Sequence, residues 1–199
     1  MAWNRAHVND PAHEASALQW AVIAMCDSTG RLSTVRAQVR PQALAVVGEA
    51  VWWVTIVDAT LVRHYPETYD SALASRTADE RAKIEETLAG LRFVRNRIGL
   101  EADLTDFVNP RTAGNPAPRE RGVGRWMWKP RPEPDLAALS PRGQAWERAR
   151  YQAYQAQLAG HTISETFGRA ASFLNATTAI ANISDLAESP APAPQPGSR

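Results

Sequence analysis

The sequence predicts an all-α protein, a helical bundle of about five helices with one long irregular segment. Apolar residues recur at spacings of three and four over several long stretches, which is the period of an amphipathic helix. Two capping boxes, Thr77 to Glu80 and Thr162 to Glu165, begin two of these stretches. The sequence contains no run typical of a parallel-sheet strand and no glycine-rich phosphate loop. A helical bundle is the natural architecture for this pattern.

The length and composition of the chain are sufficient for one hydrophobic core. The chain has 199 residues, of which 44% are hydrophobic, and a net charge of +1. This balance gives no strong overall bias toward nucleic acid or membrane. The single Cys26 excludes an intrachain disulfide and a cysteine-based zinc site. No histidine pair has ligand spacing with a nearby carboxylate, so neither a metal nor a cofactor is predicted.

The N-terminus and the apolar runs predict the cellular location. The first eleven residues are polar and contain no signal-peptide core. The longest apolar run, residues 43–57, contains Glu49 and is shorter than the roughly 20 residues that a membrane span requires. We therefore expect a cytoplasmic protein that makes no membrane contact.

The first half of the chain predicts three helices. The first begins at Pro11 and ends near Gly30, and the second begins at Pro41 and is expected to kink at Pro66. The third follows the capping box at Thr77. Their apolar positions are Leu18, Val22, Met25, Leu44, Val47, Val51, Val54, Leu61, Tyr65, Ile84, Leu88, Leu91 and Ile98.

The second half predicts an irregular segment and two more helices. Residues 101–139 contain six prolines and three glycines, too many for a long helix. Helix resumes at Pro141, where Trp146, Ala149 and Ala153 share a face, and the last helix follows the second capping box. We expect one helical domain over residues 1–188 and a disordered tail, rich in proline and alanine, over residues 189–199.

Two charged residues interrupt the apolar faces of the second and third helices. Asp58 lies in the middle of one face and Arg95 in the middle of the other. Each lies about 18 or 19 residues from the expected turn near Ser75, so at about 1.5 Å per residue both lie at the same level of an antiparallel pair. The sequence therefore predicts a direct Asp58–Arg95 contact. This pair either fixes the register of the bundle or orients Arg95 toward a phosphate or a partner.

The stretch from Leu91 to Arg97 resembles the motif helix of the HEPN superfamily. Members of this superfamily are all-α proteins, often homodimers, and many are ribonucleases of toxin–antitoxin and antiphage systems. Their motif is an arginine, a polar residue such as asparagine, and a histidine several residues later, with an acidic residue from an earlier helix beside the arginine. Arg95, Asn96 and Asp58 match these positions.

The motif histidine is replaced, with Glu101 nearest to its place. The resemblance implies metal-independent RNA cleavage in which Arg95 stabilises the phosphorane. Glu101 would be the general base, but its negative charge would repel phosphate. A degenerate site that binds RNA or phosphate is therefore expected, with Arg92 and Arg97 as further contacts. The resemblance also implies a homodimer, and either Trp52 or Trp53 is an interface candidate because they project to opposite sides of their helix.

A second patch lies in the irregular segment. Trp126 and Trp128 alternate with charged neighbours, as on an extended strand, and the basic residues around them include Arg121, Arg125 and Lys129. Aromatic rings between basic residues are typical of single-stranded nucleic-acid binding. The other interpretation is that both tryptophans anchor the segment onto the bundle. A non-enzymatic helical module that binds a protein partner through this arm is the alternative function.

Overall fold

The protein is mostly helical over the residues that the structure describes, as the sequence predicts. A computed structural model describes residues 11–35, 39–98, 104–109 and 126–181, without the side chains of residues 11–15. Within these ranges the helices are α1 (Pro11–Arg31), α2 (Arg40–His64), α3 (Pro66–Ala74), α4 (Ala78–Arg97), α5 (Pro141–Gln157) and α6 (Ile163–Ile180). Two short strands, β1 (Val108–Asn109) and β2 (Met127–Trp128), form an antiparallel pair. The all-α prediction is confirmed.

Both predicted capping boxes are present. The Thr77 hydroxyl accepts a hydrogen bond from the backbone N–H of Glu80 at 3.3 Å, and the Glu80 carboxylate accepts one from the Thr77 N–H at 3.1 Å. Thr162 and Glu165 repeat this exchange at the start of α6. The hydrogen bonds from the threonines lower the pKa of both glutamates. Local sequence therefore sets where α4 and α6 begin.

Pro66 breaks the predicted long helix instead of kinking it. Helix α2 ends at His64, and α3 begins at Pro66, which has no N–H to continue the hydrogen-bond ladder. The described part of the chain consequently contains six helices, one more than expected.

Helices α1, α2, α4 and α5 lie side by side, and α6 packs against α1, α2, α3 and α4. Helices α4 and α5 run antiparallel and approach closely at Gly90. A Cβ at this position would lie 2.7 Å from Leu158 Cδ1 and 3.1 Å from Tyr154 Cα. The absence of a side chain therefore lets the α5 backbone pack directly on α4.

The described part of the irregular segment is tied to the bundle by its tryptophans. Trp126 is 4% exposed and Trp128 is 1% exposed. The Trp128 indole N–H donates to Thr166 Oγ1 at 2.9 Å. The Lys129 ammonium donates to the backbone oxygen of Thr105 at 2.6 Å. The hypothesis that these two rings stack on bases is therefore wrong, because neither ring is accessible, and the anchoring interpretation is confirmed.

Helix α2 differs from the expectation for its apolar run. The helix has 25 residues, and by length and composition it is the described helix that could cross a membrane. Half of its apolar window is buried inside the bundle, however, and one helix of this kind is weak evidence of a membrane span. Its central position in the helix layer accounts for its composition.

Candidate functional site

A buried carboxylate lies where α2, α3 and α4 meet. Asp58 of α2 is fully buried. The Tyr69 hydroxyl of α3 donates to Asp58 Oδ1 at 2.9 Å, and Arg92 Nε of α4 donates to Oδ2 at 2.6 Å. Arg92 Nη2 also pairs with Oδ2. Both carboxylate oxygens therefore have partners, which a buried charge requires.

The partner of Asp58 is Arg92, so the predicted direct contact with Arg95 is wrong. The prediction counted residues along a continuous helix to a turn near Ser75. Because the chain instead breaks at Pro66 into α3, the true register differs from the count by three residues, about one helical turn. The same break supplies Tyr69, whose hydroxyl completes the cluster.

Burial raises the pKa of Asp58, and three neighbours oppose this effect. The charge of Arg92 is the largest opposing influence, followed by the Tyr69 hydrogen bond, and the charge of Arg95 also lowers the pKa of Asp58. Burial and the nearby carboxylate raise the pKa of Tyr69, so its hydroxyl keeps its proton. Arg95 thus acts on Asp58 through its field and not through a bond.

Arg92→Met should strengthen the dependence of stability on pH through Asp58, whose pKa is already raised in the wild-type protein. Without the guanidinium, the pKa of Asp58 in the folded protein rises further above its unfolded value of about 3.9. The folded state then binds the proton more tightly than the unfolded state. The free energy of unfolding should therefore fall as the pH rises from about 4 through the folded pKa. Denaturant unfolding between pH 4 and 8 measures this slope. Arg81→Met, an exposed change on the same helix, is the control, and equal slopes in the two variants would contradict the assignment.

Arg95 and Asn96 reach to the two neighbouring helices. The Arg95 guanidinium carbon lies 5.6 Å from the ring centroid of Trp52 on α2. The Asn96 amide donates to Glu147 Oε1 of α5 at 2.9 Å. Arg95 is only partly buried, at the edge of the α2 interface, and not in the middle of a buried face as its spacing predicts. Helix α4 packs between α2 and α5 and is therefore buried on two sides. The strip of this helix that stays partly exposed includes Arg92 and Asn96.

Helix α5 extends this strip of polar contacts. Arg150 Nη1 donates to Glu147 Oε1 at 2.7 Å, so Asn96 and Arg150 share one carboxylate oxygen. The guanidinium carbons of Arg142 and Arg150 each lie 5.6 Å from the ring centroid of Trp146. We call the resulting band across three helices the arginine surface. Its members are Trp52, Arg92, Arg95, Asn96, Arg142, Trp146 and Arg150.

The sequence pointed to only part of the arginine surface. Arg92, Arg95 and Asn96 were predicted site residues, and Trp52 was an interface candidate. Arg142, Trp146 and Arg150 were missed, although their spacing of four residues places a ring between two cations on one helix face.

The remaining predicted site residues lie elsewhere. Arg97 is buried, with its guanidinium carbon 5.6 Å from the ring centroid of Phe93. Lys129 and the two buried tryptophans belong to the anchored segment. The other three predicted residues, Glu101, Arg121 and Arg125, lie outside the described residues, as does the tail.

The chemistry that this surface offers is binding of anions and aromatic rings. Its carboxylates lie beneath the arginines, since Asp58 is fully buried and the Glu147 side chain is 12% exposed. The arginines and two tryptophan rings face solvent at least in part. In the part of the chain that the structure describes, no group of three His, Cys, Asp or Glu side chains could hold a metal ion.

Comparisons with protein-family models, with curated proteins and with solved structures found no match for this chain.

Proposed function

We propose that this chain is a HEPN-like helical protein that binds RNA through its arginine surface. The main observation behind this proposal is that Arg92 lies at the surface directly above the buried carboxylate that holds it. The Arg92 side chain is 31% exposed and its Asp58 partner is fully buried. The protein therefore holds the edge formed by Nε and Nη2, and the other edge of the guanidinium is left for a ligand. A guanidinium fixed in this way is preorganised for a phosphate oxygen.

The neighbouring charges support a phosphate ligand. Arg95 lies one helical turn from Arg92, and Arg150 lies across the α4–α5 interface beside Asn96. The carboxylates that neutralise part of this charge lie below the surface. Glu85, the exposed acid on the same strip of α4, lies about two turns away from Arg92. At Arg92, Arg95 and Arg150 a polyanion would therefore meet guanidinium groups before it meets carboxylates.

Binding without cleavage is the activity that we propose. The described groups around Arg92 and Arg95 include no good proton carrier at neutral pH. The Tyr69 pKa is raised, and the Asp58 carboxylate is enclosed between its two donors. A toxin–antitoxin or antiphage role and a homodimer, both implied by the HEPN resemblance, fit this proposal.

Arg95→Ala should weaken RNA binding and reduce its dependence on salt. Each lost phosphate contact lowers the slope of log K against log salt by about 0.7 for a single strand. Fluorescence anisotropy of labelled RNA in EDTA, over a series of salt concentrations, measures both effects. Arg81→Ala is the matched control, since this exposed arginine of α4 lies outside the arginine surface.

Two results would contradict the proposal. One is no binding to RNA at low salt, and the other is equal binding by Arg95→Ala and Arg81→Ala. Gel analysis of the same samples tests cleavage. RNA that remains intact supports a binding protein, whereas cleavage that disappears in Arg95→Ala would replace it with a metal-independent ribonuclease.

A further inference from the structure

Among the tryptophans that the structure describes, two are buried, Trp53 is partly buried and three are strongly exposed. Trp126 and Trp128 are enclosed, whereas Trp52 is 54% exposed and Trp146 is 57% exposed. A single exposed ring is common on protein surfaces, whereas rings that form part of a larger patch mark contact sites. Because Trp52 and Trp146 both belong to the arginine surface, the ligand of that surface is expected to contact them.

The two exposed rings flank α4 at the same level. Trp52 contacts Arg95 from the α2 side. On the α5 side, the bonds from Asn96 to Glu147 and from Gln157 to Glu86 fix an antiparallel register. This register places Trp146 opposite the last turn of α4. With neighbouring helix axes about 8–10 Å apart, the rings stand roughly 16–20 Å apart across the layer.

Arginines occupy the neighbourhood of both rings. One guanidinium lies against the Trp52 ring and two lie near the Trp146 ring, each at 5.6 Å from the ring centroid. Arg92 and Asn96 lie on the strip of α4 between the rings. A ligand spanning this band would meet an aromatic ring, then cations, then a second ring. Bases and phosphates alternate in this way along a single strand.

We infer that Trp52 and Trp146 are stacking platforms for unpaired bases, and that the ligand is therefore single-stranded RNA. This inference rests on the proposed function and specifies its substrate. Paired bases present only their edges to a protein, so a duplex could meet the arginines but not stack on the rings. Binding should consequently prefer a single strand over a duplex of the same sequence.

The test compares labelled single-stranded RNA with the blunt duplex of the same sequence, by anisotropy in EDTA. Trp52→Ala and Trp146→Ala should each weaken single-strand binding about 5- to 150-fold. Both should leave duplex binding unchanged, and Trp52→Phe and Trp146→Phe should restore most of the affinity. Trp20→Ala is the matched control, because Trp20 is 69% exposed on α1 and no described arginine lies over its ring. Melting curves of all variants verify that these exposed changes leave the fold intact.

The failures of the inference and of the proposed function are distinguishable. Equal binding of single strand and duplex, unchanged in the tryptophan variants, would overturn the inference and leave RNA binding through arginines in place. No binding to either RNA would overturn both. Sedimentation of the free protein supplies a third outcome. A dimer that Trp52→Ala or Trp146→Ala dissociates, in a protein that binds no RNA, would assign the rings to an interface between two copies and overturn the inference.

Discussion

Asp58→Ala should lower the free energy of unfolding by about 3 kcal/mol and the melting temperature by about 6–12 °C. The substitution removes the acceptor of a buried tyrosine hydroxyl and the partner of an arginine. Arg92 is 31% exposed, so its freed charge can reach water. The Tyr69 hydroxyl is buried and cannot, and an unsatisfied buried donor costs about 1–3 kcal/mol. The cavity left by the carboxylate adds to this cost.

Tyr69→Phe provides the comparison. It removes one hydrogen bond and leaves the Asp58–Arg92 pair in place, so its cost should be about 1 kcal/mol. In the double variant the tyrosine donor is absent, and the loss on removing Asp58 should therefore be smaller than in the wild-type background. Chemical denaturation of the four proteins measures this coupling. Additive effects would show that the hydroxyl gains nothing from the carboxylate, and a cost below 1 kcal/mol for Asp58→Ala would contradict a structural role for the cluster.

Local signals in the sequence were sufficient to predict where α4 and α6 begin. Each capping box needs only two side chains and the backbone between them, so Thr77 and Thr162 begin helices whatever packs around them. The burial of Asp58 could also be predicted, since it interrupts an apolar face on which Val47, Val51, Val54 and Leu61 are buried. Which arginine meets it depends on the register between two helices, and the break at Pro66 changes that register by one turn.

The exposed side of the bundle was harder to predict than its core. Trp146 shares a helical face with Ala153, and the sequence does not show that the α5 interface is centred on Tyr154 instead. The rotation of α5 is set by close packing at Gly90, where the nearest atoms belong to residues more than 60 positions later. Spacing alone therefore left open whether Trp126 and Trp128 are accessible, although both are buried, and it did not point to the exposed Trp146 of α5.

Trp128→Ala should be among the most damaging single changes in this chain, with a cost of about 3–5 kcal/mol. The ring is 1% exposed, packs 6.1 Å from the Phe167 ring, and bonds to Thr166. Its removal leaves a large cavity between the strand pair and α6, and the Thr166 hydroxyl oxygen loses the N–H that donates to it. Trp146→Ala is the control of equal side-chain size, and because this ring is exposed its effect should stay within about 0.5 kcal/mol. Thermal unfolding should place the two variants about 6–20 °C apart. Similar melting temperatures would mean that Trp128 does not anchor its segment. The argument that nucleic acid contacts α2 and α5, and not β2, would then lose its main support.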